Sequence, residues 1–238
     1  MKRFGFPALA CALSSVAFLG GCHDSPVQPV AMPAVHAEVQ AAATTTVLNA
    51  NFESAPAAAL GAPWKTFRSG GSTATVMGTT TPHGKVLLLH GSTTAGDSLS
   101  TSIGFSTSAA QITSAIDIKP VEGASFIWSL HGGGYSISSS RIRLQRAPGS
   151  TMLVARTSIN VTTNCGNLPN GVWSRVTLIV RTAGSPNTMD VRINGAATAC
   201  TGISTGMRPP FTAVMIIDPT DAGYGRNVQF DNLLVTTP

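Results

Sequence analysis

From residue 45 onward, apolar side chains recur at every second position in short runs, and clusters of Gly, Pro, Asn and Ser separate the runs. A period of two marks a strand with one buried face, so these runs predict strands at 47–52, 74–77, 86–90, 98–105, 115–118, 126–131, 141–146, 152–157, 172–180, 189–193, 213–218 and 228–235. Strands at this spacing, with turn residues between them and no amphipathic helix longer than two turns, predict an all-β chain of two antiparallel sheets packed face to face. No internal repeat is visible.

The stretch from Gly171 to Gly195 sharpens the prediction. Trp173 opens a strand in which Val176, Leu178 and Val180 alternate with Thr177, Ile179 and Arg181. A turn at Gly184-Ser185-Pro186-Asn187 follows, and Val191 and Ile193 lead into Asn194-Gly195, a strong tight-turn signal. A Gly-x-Trp strand followed by a strand ending in Asn-Gly resembles the laminin G-like and concanavalin A-like lectin/glucanase jelly rolls. Asn51-Phe52-Glu53-Ser54 looks like the opening strand of those domains, and Phe230-Asp231-Asn232-Leu233 like the closing one. The resemblance implies a concanavalin A-like two-sheet jelly-roll sandwich over 45–238.

The N-terminal region reads differently. Met1-Lys2-Arg3 precedes an apolar run from Phe4 to Leu19, which is too short to span a bilayer and reads as an export signal. The run ends in Leu19-Gly20-Gly21-Cys22, which resembles the bacterial lipobox. That resemblance implies a leader over 1–21, a lipid on Cys22 and an anchored, not inserted, protein. The alternative is an ordinary signal cleaved near Val35-His36-Ala37. His23 stands where lipoproteins retained at the inner membrane often carry Asp, so the resemblance implies the outer membrane. Residues 22–44 are rich in Ala, Pro, Val, Gln and Thr, with Pro26, Pro29 and Pro33 forbidding a continuous helix, and are expected to be a semi-extended tether.

With Cys11 in the leader and Cys22 acylated, Cys165 and Cys200 remain. Two thiols in an oxidising compartment suggest one disulfide, the alternative being two separate buried thiols. The formal charge of +5 falls to +3 once Lys2 and Arg3 leave, and charged residues make up only 11% of the chain with no dense basic run. This pattern excludes nucleic acid as the expected partner.

Candidate chemistry is sparse. The Glu-x-Asp-x-x-Glu pattern of laminarinase-like enzymes, which supplies the paired carboxylates of glycoside hydrolysis, is absent. Glu53 and Asp231 sit near opposite ends of the domain, where the jelly-roll resemblance implies a structural calcium held by carboxylates and carbonyls. The segment Phe126-Ile127-Trp128-Ser129-Leu130-His131-Gly132, the turn through Tyr135 and the strand Arg141-Ile142-Arg143-Leu144-Gln145 place Arg141, Arg143 and Gln145 on one strand face. This stretch also resembles the middle of alginate lyase-type jelly rolls, in which a Gln-Ile-His-Gly strand precedes a strand with basic side chains. Here Ser129 replaces the Gln, and the Tyr-x-Lys-x-Gly-x-Tyr strand is missing.

The reading is a lipid-anchored outer-membrane protein whose sandwich binds a glycan or another envelope component without catalysis. His131, Tyr135, Arg141, Arg143, Gln145, Tyr224 and Arg226 are the candidate binding residues. The alternatives are a polysaccharide lyase using His131, Arg141, Arg143 and Tyr135 or Tyr224 for β-elimination, and a structural or adhesion protein. Trp128 and Trp173 are expected in the core.

Overall fold

A computed structural model describes residues 43–79, 82–92, 94, 97–121, 123–133, 141–157, 159–218 and 226–238, without the side chain of Arg226. These residues contain no helix and form the strands β1 Thr45–Ala50, β2 Lys65–Arg68, β3 Thr73–Gly78, β4 Lys85–Gly91, β5 Leu99–Thr107, β6 Gln111–Pro120, β7 Phe126–Gly132, β8 Arg141–Arg146, β9 Met152–Arg156, β10 Thr162–Asn167, β11 Ser174–Arg181, β12 Thr188–Ile193, β13 Ala196–Ala197, β14 Ile203–Ser204, β15 Phe211–Asp218 and β16 Arg226–Thr237. One sheet runs β13-β12-β11-β6-β16-β4-β3, with β1 added on β16 and β14 on β12; the other runs β10-β9-β8-β7-β15-β5-β2. Every pairing between these strands is antiparallel. The predicted two-sheet jelly-roll sandwich is what the chain forms.

Alternation fills the space between the sheets. Val176, Leu178 and Val180 on β11 lie opposite Ile116, Ser114 and Ile112 on β6, and all six are buried. The second sheet answers with Phe126, Trp128 and Leu130 on β7 and Ile142 and Leu144 on β8. Phe126 meets Phe230 of β16 edge-on, with ring centroids 5.8 Å apart, a contact across the two layers worth about 0.5–1.5 kcal/mol beyond burial. At one edge, Cys165 of β10 is disulfide-bonded to Cys200, which hydrogen-bonds along β12, so the bond ties the two sheets together.

All twelve expected runs fall on strands, several with shifted ends. Four further strands carry no alternation to read: β2 is exposed throughout, β10 is the polar sequence Thr162–Asn167, and β13 and β14 have two residues each. The turn at Asn194-Gly195 has positive φ at both residues, as a tight hairpin requires. Trp128 is buried as expected, whereas Trp173 lies just before β11, half-buried against the ring of His83 at 3.9 Å.

Candidate functional site

On β8, Ile142, Leu144 and Arg146 point into the sandwich, and Arg141, Arg143 and Gln145 stand half-buried on the outer face. Residues paired directly across strands share a face, so the register fixes their surroundings. Arg141 lies opposite His131, Arg143 opposite Ser129, and on the other side Arg143 lies opposite Arg156 of β9. Neighbouring strands are ~4.8 Å apart and alternate residues of one strand about 6.8 Å apart, so His131, Arg141, Arg143 and Arg156 form one basic cluster. The level of Arg143 continues through Ser129, Met215 of β15 and Ser102 of β5 to Lys65 of β2. The adjacent level runs Val154, Gln145, Ile127, Ile217, Ser100, Phe67. Neither level contains an Asp or Glu.

The cluster concentrates like charge. Burial, and then the nearby Arg156, push the Arg141 guanidinium below its ordinary value. Three ion pairs join described residues, His83 with Asp231, Arg175 with Asp117 and Arg181 with Asp190, and none of the three outer arginines belongs to them. His131 is only 3% exposed. Its Nε2 is 3.0 Å from Ser129 Oγ, and the Ser129 hydroxyl donates to the Met215 carbonyl at 3.3 Å, so that hydroxyl accepts from Nε2–H. Burial first, and Arg141 second, lower the His131 pKa and favour the neutral ring.

Two arginines escaped the reading of the sequence. Arg156 ends β9, and its alternation with Met152 and Val154 is the signal that puts it on the same face. Arg146 alternates the other way and is 1% exposed; Nη1 donates to the Ala124 carbonyl at 3.0 Å, Nη2 donates to Asn170 Oδ1, and Nε has no partner among the described residues. Burial pushes this guanidinium down as well.

Of the other expected residues, Gln145 joins the outer face, while Tyr135, Tyr224 and Cys22 lie outside the described residues. Arg226, expected on a loop beside the groove, is instead the first residue of β16 in the other sheet, opposite Gly91. Glu53 and Asp231 converge on neighbouring residues. Glu53 Oε1 accepts from the Lys85 amide at 3.0 Å, and a Cβ on Gly84 would stand 2.5 Å from Oε2, so only glycine lets the carboxylate come so close. Asp231 Oδ2 accepts from His83 Nδ1 at 2.7 Å, and Oδ1 accepts from the Asn232 amide at 2.7 Å. Protein donors thus reach Glu53 Oε1 and both oxygens of Asp231, and no group of three or more His, Cys, Asp and Glu among the described residues is placed to hold a metal.

No protein-family model matches this chain, and no curated protein matches it. Solved structures do. A sialidase superposes on 81% of the chain with a TM-score of 0.60 at 12% identity, although the chain spans only 18% of that protein. An endo-1,3-beta-glucanase from Streptomyces sioyaensis gives a TM-score of 0.54 at 13% identity, covering 83% of this chain and 98% of its own. SCLam, a non-specific endo-beta-1,3(4)-glucanase from family GH16, gives 0.56 at 10% identity, covering 82% and 91%. At these identities the likeness shows the fold: the chain is a jelly-roll sandwich of the concanavalin A-like class.

Proposed function

We propose that the outer face of the seven-stranded sheet binds an acidic glycan without turning it over. The observation that carries this is the convergence of Arg141, Arg143 and Arg156, in no ion pair among described residues, on a face whose two charted levels hold no carboxylate. Planar guanidinium groups in this arrangement suit carboxylates or sulfates, which they grip in bidentate fashion. Two fold neighbours are named as glucanases, which favours a saccharide over another polyanion. Binding without turnover is supported by His131, whose burial and bond to Ser129 suit it to holding the strand surface, not to abstracting a proton.

The test is binding of polygalacturonate and of heparin to the parent and to Arg141→Ala/Arg143→Ala. The double variant should lose at least tenfold in affinity at low ionic strength, and the difference should shrink as salt is added. Equal binding by the two proteins sinks the reading, and an unsaturated product absorbing in the ultraviolet would replace it with the lyase.

The anchor is part of the same proposal: lipid on Cys22 holds the protein at the outer membrane, and Cys22→Ala should move it out of the membrane fraction or stop its maturation. Unchanged partitioning of the variant refutes the anchor. Calcium between Glu53 and Asp231 is a separate proposal, and binding there requires His83 to release Asp231. A bound ion would raise the unfolding temperature by mass action, and EDTA would reverse the rise. An unfolding temperature indifferent to calcium leaves the His83–Asp231 bond as the holder of that junction.

A further inference from the structure

Phe67 is 67% exposed and is the one aromatic among the large exposed hydrophobic side chains of the described residues. It sits on β2, the edge strand of the seven-stranded sheet. The register carries it onto the arginine face: Phe67 pairs with Ser100, Ser100 with Ile217, Ile217 with Ile127, and Ile127 with Gln145, the neighbour of Arg143 on its outward side. Burial agrees on β5, β15, β7 and β8, where these partners are partly exposed while the alternate residues Thr101, Ile216, Trp128 and Leu144 are buried; β2 is exposed on both faces, so there the register alone places Phe67. Lys65, two residues before Phe67 and so on the same face, stands at the far end of the level that begins at Arg156.

The face therefore has a profile. Arg143 and Arg156 rise at one side, Phe67 and Lys65 at the other, and between them lie the shorter Ser100, Ser102 and Ser129 with Ile127, Met215 and Ile217. Four strand spacings separate β2 from β8, about 19 Å. The exposed ring offers an apolar surface at the edge of this basic face. A pyranose offers what the ring can use: a face of C–H groups, electropositive against the negative face of the aromatic system, over hydroxyls directed sideways.

We infer that Phe67 is a sugar-stacking platform, the distal subsite of this face, and that the ligand is an anionic oligosaccharide lying across the strands with its acidic groups on the arginines. This rests on the acidic-glycan reading and adds to it a direction and a minimum length. A single acidic sugar reaches only the arginines; a chain of several units reaches Phe67 as well.

The experiment measures affinity for a length series of oligogalacturonates, and in parallel of sulfated chondroitin oligosaccharides, from dimer to octamer, at fixed ionic strength. In the parent, affinity should climb with length by roughly three- to tenfold as the chain reaches the ring. In Phe67→Ala the climb should shrink by that factor, leaving only what Lys65 adds, and Phe67→Trp should restore it. The exposed position keeps folding out of the comparison, which circular dichroism checks. If the parent gains with length and Phe67→Ala gains equally, the subsite is refuted while the acidic-glycan reading stands. If the parent binds neither series, both fall. If Phe67→Ala changes only the sedimentation of the protein, from dimer to monomer, the ring is a self-association contact and the inference is overturned.

Discussion

His131 lies opposite Arg141, on the face that strand alternation predicts, in surroundings its residue type alone does not suggest. A histidine beside two arginines reads as chemistry in the sequence, but here the ring is buried, donates to Ser129 and is kept neutral by burial and by Arg141. The sign of the consequence follows from linkage. A ring whose folded pKa lies below the unfolded value of about 6.5 stabilises the fold fully above that pH, and the contribution is lost as pH falls below it toward the folded value. The parent should therefore lose stability between neutral pH and pH ~5 faster than His131→Asn. Chemical denaturation of both proteins across that range checks it; parallel curves would mean that His131 is protonated as easily in the fold as outside it.

At the scale of elements, alternation made most of the sandwich legible. Ile142 and Leu144 are both buried, which forces Arg141 and Arg143 outward, and that inference needs nothing beyond the strand period. What stayed hidden has a common physical cause: edge strands need not bury a face. β2 is exposed along its length and is held by its ladder to β5, so Lys65 and Phe67 were invisible as part of any surface until the register placed them. Arg156 was hidden because sequence does not say which strands are neighbours; β8 and β9 could have been apart. The Cys165–Cys200 pairing, by contrast, followed from counting thiols. The bond closes a loop of 35 residues between the edges of the two sheets, for which chain entropy predicts about 4 kcal/mol of stability. Cys165→Ala/Cys200→Ala should lose an amount of that order in urea unfolding, and a loss well below 1 kcal/mol would show that β10 and β12 stay together without it.

For the molecule as a whole, the two sheets carry different features. The arginine face belongs to one layer, and the chain's first described strand belongs to the other. That strand, β1, pairs with β16 alone, from Thr45 opposite Thr237 to Ala50 opposite Leu233. In the anchored protein proposed above, a pull on the chain upstream of Thr45 would reach β1 before any other strand. The Thr45–Thr237 rung would be the first to feel it. β1 can be given up while β6 still grips β16 along its other side and β4 holds its first half. In that protein β1 would be the first strand to yield, and the sheet that carries Arg141, Arg143 and Arg156, in which β1 has no partner, would keep its ladders.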